Sequence, residues 1–352
     1  MGKKLIKYGL NIAFLILIFY LTVRSVFHGV DLHATMRALQ TANPLFILFG
    51  ILCVICFILG ESVIIHFLLR NLGTRVPFFH CCLYSFVGFF YSSITPSASG
   101  GQPMQLFYMR KDKLPVGVST VVLAIVSITY KMVLVVVGAA VLLIRPRALI
   151  DPIRPVIPIF YFGFLLNIVF VSFLVLLVFR PGILRAAALR ILRLIHRIRP
   201  FQNLEKQTGR IDNLIEQYRG TAEFFRSHRS VILRVFLLTV MQRFLQFFLT
   251  WLAYKAFGLS GHSLWVIVGL QALISVAADM LPFPGGMGIS ENLFLRIFLP
   301  VFGSTFVLPG MMFSRGLSYY TQLLISAIMT VAAMFFFHLR QKRTNEINRD
   351  PS

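Results

Sequence analysis

The sequence predicts an all-α polytopic membrane protein with about six spanning helices and two oppositely oriented re-entrant hairpins. Of its 352 residues, 57% are hydrophobic and only 13% are charged, and the mean hydropathy is +0.81. A soluble domain carries about 25% charged residues, so this composition indicates a membrane protein. Long apolar runs recur along the chain, and two of them are interrupted by proline and glycine. The 34 lysines and arginines, against 12 acidic residues, gather in short loops and tails, where the positive-inside rule expects them.

Six apolar runs are long enough to cross a bilayer, which takes about 20 residues. They are 5–23, 45–69, 115–144, 156–179, 231–257 and 310–338. The first follows three lysines and lacks a cleavage pattern, so we predict a retained helix that starts in the cytoplasm. The basic segments 180–230 and 339–352 are placed on the same side. Residues 1–338 are therefore expected to form one transmembrane domain of the cell membrane, with both termini cytoplasmic.

The two interrupted runs, 78–109 and 263–303, must each start and end on the same side for their neighbours to obey the positive-inside rule. The first divides into legs 79–94 and 104–110 around TPSASGGQP, and the second into legs 263–281 and 289–303 around PFPGGMG. The two hairpins enter from opposite faces, as in an inverted repeat. The loop 145–154 carries three arginines and yet is assigned to the outside, against the rule.

Both breaks are expected to border a cavity near the middle of the membrane. Backbone groups freed at a break are costly in lipid, so irregular backbone survives where protein or a polar cavity satisfies it. The helix starts near Pro103 and Ile289 would favour an anion. The alternative is a pair of tight turns packed in the core. The candidate residues at the breaks are Ser97, Ser99, Gly100, Gly101, Gln102, Pro103, Pro284, Gly285, Gly286, Gly288 and Glu291.

Charged residues within the apolar runs are the second clue, because each is costly in lipid and usually faces a cavity. Arg243 and Arg315 could bind a phosphate or could pair with carboxylates. Glu291 could take part in transport or could stabilise the start of its helix. Glu61 is expected near the inner interface, with a structural role. The charged candidates for a substrate pathway are Lys131, Arg243, Asp279, Glu291 and Arg315.

The segment 180–230 has a different character, because it is basic and amphipathic. Arg190, Arg193 and Arg197 form one stripe of a predicted helix over 183–199, opposite an apolar stripe of Leu184, Ala188, Ile191, Ile195 and Ile198. This pattern predicts an interfacial helix that binds anionic headgroups. A solvated connector is the alternative for 204–228. A nucleic-acid partner is not expected, because the excess of basic residues lies beside the membrane.

The sequence predicts no metal site and no cofactor. Cys53, Cys56, Cys81 and Cys82 lie in apolar runs, where cysteine behaves as a small apolar residue. The chain contains no nucleotide-binding Walker loop and no spacing of a catalytic triad.

The motifs at the two breaks resemble those of the flippase-like family, which comprises the membrane region of lysylphosphatidylglycerol synthases and stand-alone members without the soluble synthetase domain. The resemblance covers residues 5–338. Residues 99–103 match the family's Ser/Gly-rich turn, and 282–291 match its Pro-x-Pro-Gly-Gly-x-Gly motif followed by Glu. Arg315 matches an arginine early in the last helix. Where the family often carries Glu-Arg, this chain has Tyr130-Lys131, which puts the family's charge pair in doubt.

The resemblance implies a lipid flippase that moves a phospholipid or a lipid-linked headgroup, with lysylphosphatidylglycerol among the candidates, between leaflets. Its partners would be membrane lipids and, as a further candidate, a separate synthetase protein. One alternative is the membrane part of a phosphatidylglycerol lysyltransferase system that contributes to antibiotic resistance against cationic peptides. Another is a small-solute transporter. Catalysis by the chain itself is not expected, because its longest polar stretch, 180–230, is too short for a synthetase domain.

Overall fold

The computed structural model describes residues 36–37, 39–198, 204–281, 283, 286 and 288–347. Within these residues the protein is all-α, as predicted. The predicted first helix, 5–23, lies outside the described residues, and so do Pro284 and Gly285 of the second break. Of Ser97 only the backbone is described.

The helices are labelled in chain order. They are α1 (Pro44–Asn71), α2 (Phe78–Ile94), α3 (Gly101–Lys111), α4 (Val116–Ile144), α5 (Arg147–Ile153), α6 (Ile157–Phe179), α7 (Pro181–Ile198), α8 (Leu204–Ser227), α9 (Arg229–Ala256), α10 (Leu264–Ala278), α11 (Ile289–Ile297), α12 (Leu299–Arg315) and α13 (Gln322–Ile347). A π-helical turn, Gly316–Thr321, joins α12 to α13. In the described part of the chain, five helical stretches are long and apolar enough to cross a membrane: α1, α4, Arg147–Phe179, α9 and Leu299–Phe336.

The C-terminal region differs from the prediction in its helix bounds. The predicted leg 289–303 ends earlier, at Ile297, and the helix predicted over 310–338 already begins at Leu299. Pro300 causes no break because it lies in the first turn of α12, where its missing N–H needs no intrahelical partner. Gly303, with φ of 70°, kinks the helix instead. The helix also continues to Ile347, beyond the predicted end at residue 338.

Helices α2 and α3 form the first hairpin. Their 17 and 11 residues span about 25 and 16 Å, less than the ~30 Å of a bilayer core. Asp112 closes the open end, with its carboxylate 2.7 Å from His80 Nδ1 and hydrogen-bonded to the Tyr84 hydroxyl. The start of α2 and the end of α3 therefore lie on the same side. Near the tip, Gly101 packs so closely that a Cβ there would lie 2.7 Å from the Gly88 carbonyl oxygen.

Helices α10 and α11 form the second hairpin, which opens at the opposite end of α4. A cavity of about 260 Å³ brings Arg147 of α5 together with His262 before α10 and Pro300 after α11. The open end of this hairpin therefore lies beside the end of α4, whereas the first hairpin leads into the start of α4. The 29 residues of α4 separate these ends by about 43 Å. The predicted opposite orientation of the hairpins is confirmed.

Helices α7 and α8 pack beside the start of α4 and the end of α6. Tyr218 donates a hydrogen bond to the carbonyl of Leu177 at 3.1 Å, and a Cβ on Gly117 would lie 2.8 Å from the Leu214 carbonyl oxygen. Arg185 donates to Asp212 at 2.7 Å, and this hydrogen bond lowers the pKa of the Asp212 carboxyl. Helix α8 is therefore anchored on the helical bundle, unlike the solvated connector considered for 204–228.

The outer surface of α7 combines basic and apolar side chains. Its three predicted stripe residues, Arg190, Arg193 and Arg197, are all exposed. Of the predicted apolar stripe, Leu184 and Ala188 are half-buried, whereas Ile191 is exposed, as is Leu194 beside it.

Candidate functional site

A cavity of about 440 Å³ lies where the two breaks meet. Ser99 and Gln102 line it from the first break, and Gly286 and Ser290 from the second. The structure thus brings the tips of two oppositely oriented hairpins to one space. The predicted pathway residues that line this cavity are Ser99, Gln102, Lys131, Arg243, Asp279, Gly286 and Arg315.

The first break is held by local hydrogen bonds. The Thr95 hydroxyl accepts a hydrogen bond from the Gly100 N–H at 2.9 Å and donates to the Tyr91 carbonyl at 2.6 Å. Gly101 is buried in the contact with α2, and Pro103 is exposed. Neither Gly100, Gly101 nor Pro103 lines the cavity, so these predicted residues shape the turn behind it.

The second break depends on backbone that favours glycine. Gly286 and Gly288 have φ of 69° and 85°, in the left-handed region that side-chain-bearing residues avoid. The Ser290 hydroxyl donates to the Gly286 carbonyl at 2.8 Å. Glu291 accepts a hydrogen bond from the Gly288 N–H at 2.7 Å with one oxygen, and from Arg315 Nε at 2.8 Å with the other. It therefore caps α11 and pairs with a cation at the same time.

The Arg315–Glu291 pair is well shielded, with side-chain exposures of 16% and 7%. The guanidinium carbon of Arg315 also lies 5.0 Å from the centre of the Tyr319 ring. Tyr319 belongs to the π-helical turn and donates a hydrogen bond to the Ser93 carbonyl at the end of α2 at 3.0 Å. Glu291 itself is not a cavity-lining residue, but its carboxylate bonds Arg315, which is one.

Lys131 and Asp279 form a second ion pair, which joins the middle of α4 to the end of α10. Both side chains are largely shielded from solvent, with exposures of 13% and 22%. Lys131 stands in the Tyr130-Lys131 pair that departs from the family pattern. Its carboxylate partner comes instead from a residue 148 positions later in the chain.

Arg243 is 1% exposed and lines the cavity, and it forms no ion pair in the part of the chain that the structure describes. Its Nη1 donates to Gln246 Oε1 at 2.8 Å, and its guanidinium carbon lies 4.2 Å from the centre of the Tyr130 ring. Nε and Nη2 have no hydrogen-bond partner among the described residues. Buried donors are nearly always satisfied, so these two donors are available to an anion, another polar ligand or an ordered water.

Glu61 is a cavity residue that the sequence prediction misjudged. It lies in the interior of α1, is 8% exposed and faces the cavity, not the inner interface. Gln105 of α3 donates a hydrogen bond to its carboxylate at 2.5 Å. Gly88 leaves the room for that amide, because a Cβ there would lie 2.9 Å from Gln105 Cγ.

Further polar residues of the cavity were not predicted, although for some of them the spacing in the sequence indicates a shared polar helix face. Gln271, Ser275 and Asp279 recur at intervals of four and so share one face of α10 and its C-terminal end. The unpredicted lining residues include Gln105, Tyr130, Gln246, Gln271, Ser275, Ser314, Ser318, Tyr319 and Gln322.

Comparison with known proteins agrees with this architecture. A family model described as "Lysylphosphatidylglycerol synthase TM region" matches residues 8–326. A UPF0104 membrane protein of Archaeoglobus fulgidus is 23% identical over 278 residues, which cover 76% of this chain and 80% of that protein. No solved structure matches the chain. Because the family model spans most of the sequence, the chain belongs to the family of lysylphosphatidylglycerol synthase transmembrane regions.

Proposed function

We propose that this protein is a flippase that moves a phospholipid headgroup between leaflets through the cavity at the hairpin tips. The observation that carries the proposal is Arg243, a buried guanidinium at the wall of that cavity, two of whose donors have no partner among the described residues. The planar guanidinium suits the oxygens of a phosphate, which it can bind through two parallel hydrogen bonds. The phosphate of a lipid headgroup would supply the acceptors that the protein itself does not.

The other basic residues of the cavity are less suited to be the primary phosphate site. Lys131 is neutralised by Asp279, and Arg315 by Glu291. The N-terminus of α11 was expected to attract an anion, but the Glu291 carboxylate already occupies that position. This leaves Arg243 as the lining cation whose charge is not balanced by an ion pair within the described residues.

A lipid is favoured over a small solute because the cavity reaches the surface of the bundle at the hairpin tips. Ser99 and Gln102 are exposed there, and the ring of Phe283 is 36% exposed. Both hairpins are too short to cross the bilayer, so their tips lie at membrane depth. A headgroup could enter this polar opening while its acyl chains remain in the surrounding lipid. The same proposal places the protein in the cell membrane, with both termini in the cytoplasm, where the basic segments can meet anionic headgroups.

Headgroup-resolved flipping in proteoliposomes tests the proposal. We expect Arg243→Gln to slow flipping about 10- to 100-fold, because hydrogen bonds to charged groups contribute about 1.5–3 kcal/mol each. Arg234→Gln is the matched control, since it removes an arginine of the same helix that is exposed and outside the cavity. Wild-type flipping by Arg243→Gln at matched amounts of inserted protein would refute the proposed role of the cavity.

A parallel assay addresses the small-solute alternative. The same proteoliposomes are loaded with glycerol phosphate, and its release is measured. Release that depends on Arg243 in the absence of lipid flipping would favour a solute transporter. Flipping without release would favour the lipid.

A further inference from the structure

The charges around the cavity at the hairpin tips balance incompletely. The charged lining residues are Glu61, Lys131, Arg243, Asp279 and Arg315. Two of the lining cations, Lys131 and Arg315, take part in ion pairs. The partner of Lys131 is Asp279, which also lines the cavity, whereas the partner of Arg315 is Glu291, which does not. Among the described residues, neither Arg243 nor Glu61 takes part in an ion pair. One cation and one carboxylate of the lining are therefore left outside the ion pairs.

These two residues lie on helices that pack against each other, and both line the cavity. Helices α1 and α9 pack so tightly that a Cβ on Gly60 would lie 3.0 Å from the Gln242 side chain. The Gln242 amide also donates to the Phe57 carbonyl at 3.0 Å. Glu61 and Arg243 follow Gly60 and Gln242 in sequence, and they reach the cavity from these two packed helices without forming an ion pair among the described residues.

The surroundings of Glu61 hold its carboxylate ready for a partner. Its polar contact is the neutral amide of Gln105, which cannot balance a charge. A buried carboxylate without a counter-charge is costly, and either protonation or a ligand that brings a cation relieves that cost. Glu291 and Asp279 are already engaged with basic residues, so Glu61 is the carboxylate best placed to accept a ligand cation.

We infer that the headgroup bound here is a net-neutral zwitterion, whose phosphate contacts Arg243 and whose single ammonium contacts Glu61. This inference rests on the proposed flippase function and specifies its substrate class. A headgroup with a phosphate alone, such as phosphatidylglycerol, leaves Glu61 uncompensated. A headgroup with two amines, such as lysylphosphatidylglycerol, brings a second cation for which the lining offers no unengaged carboxylate.

The test compares flipping of phosphatidylethanolamine, phosphatidylglycerol and lysylphosphatidylglycerol by the full-length protein in proteoliposomes. The wild type is expected to move phosphatidylethanolamine about tenfold faster than either of the others, since a charge-assisted hydrogen bond of about 1.4 kcal/mol corresponds to a factor of ten. Glu61→Gln should abolish this preference and leave phosphatidylglycerol flipping equal or faster. Glu61→Asp keeps the charge and should keep the preference. Glu223→Gln, at an exposed position of α8, is the control for loss of one acidic residue.

One result would overturn the inference while the proposed function stands, namely an unchanged order of headgroups in the Glu61→Gln protein. If that variant also slows all three lipids equally, Glu61 is assigned to structure. If Glu61→Gln does not insert, the order for Glu61→Asp decides, and a lost preference there counts against the inference. If the wild type moves none of the three lipids in an Arg243-dependent manner, the proposed function itself fails, and the inference fails with it.

Discussion

Replacing Glu291 by glutamine probes the contact that joins the second hairpin to the last membrane stretch. The carboxylate accepts from the Gly288 N–H at 2.7 Å and from Arg315 Nε at 2.8 Å, and its side chain is only 7% exposed. Breaking a buried ion pair on one side costs about 3–5 kcal/mol. Glutamine keeps one acceptor oxygen, which can serve the Gly288 N–H or the guanidinium but not both. The cation–π contact with Tyr319 remains. We therefore expect Glu291→Gln to lower the free energy of unfolding by about 3 kcal/mol.

The assay is reversible unfolding in mixed detergent micelles, read as a double-mutant cycle with Arg315→Met. We expect the double variant to be less destabilised than the sum of the single variants by about 1–3 kcal/mol, because the two groups act on each other. Arg296→Gln, an exposed position of α11, is the control. A Glu291→Gln protein within about 0.5 kcal/mol of wild type would leave helix capping as the role of this carboxylate and would refute the argument from the ion pair. Strict additivity in the cycle would refute it as well.

Three other predictions concern the charge pairs, the topology and the surface helix. Lys131→Met should reduce flipping about tenfold at matched protein levels, because the Asp279 carboxylate, without its lysine, would compete with a phosphate for Arg243. A wild-type flipping rate in this variant would exclude a role for the Lys131–Asp279 pair in transport. In a cysteine-free background, Lys113→Cys and Ser260→Cys should react with an impermeant thiol reagent from opposite sides of the membrane. Reaction of both cysteines from the same side would contradict the re-entrant arrangement. Lys113 is chosen over Asp112 because the Asp112 side chain is only 6% exposed. A peptide of residues 183–199 should bind anionic vesicles with an affinity that falls steeply as the salt concentration rises, because each basic residue near the surface contributes about 1 kcal/mol. Equal binding to neutral vesicles would count against an electrostatic role for Arg190, Arg193 and Arg197.

The hairpins could be predicted from the sequence because their signals are local. Few arrangements of these segments in the membrane agree with three features of the sequence. These are apolar legs too short to cross a bilayer, proline–glycine breaks between them, and the sides predicted for the neighbouring basic loops. The boundary between α11 and α12 could not be predicted in the same way. Pro300 resembles a helix break in the sequence, but its position in a first turn makes it compatible with a helix, and this position is known only once the helix start is known.

The charged residues of the site were visible in the sequence, but their pairing was not. Arg243 and Arg315 were both candidates to pair with carboxylates, and only three-dimensional proximity pairs Arg315 with Glu291 and gives Asp279 to Lys131. Glu61 was assigned a structural role because it lies in the second half of its helix. Its place at the cavity follows from the packing of the first hairpin against α1, which brings Gln105 to it from 44 positions away.

The first hairpin is fastened at both ends, by the Asp112–His80 contact at its opening and by the close approach of Gly101 to Gly88 near its tip. We expect a segment held in this way to move as one body, with the changes in backbone angles falling on the loops at 72–77 and 112–115. Spin-label distances within the hairpin should then stay constant when lipid is added, while distances from α3 to α6 change. Such a motion would tilt the tip across the cavity without breaking a backbone hydrogen bond within α2 or α3.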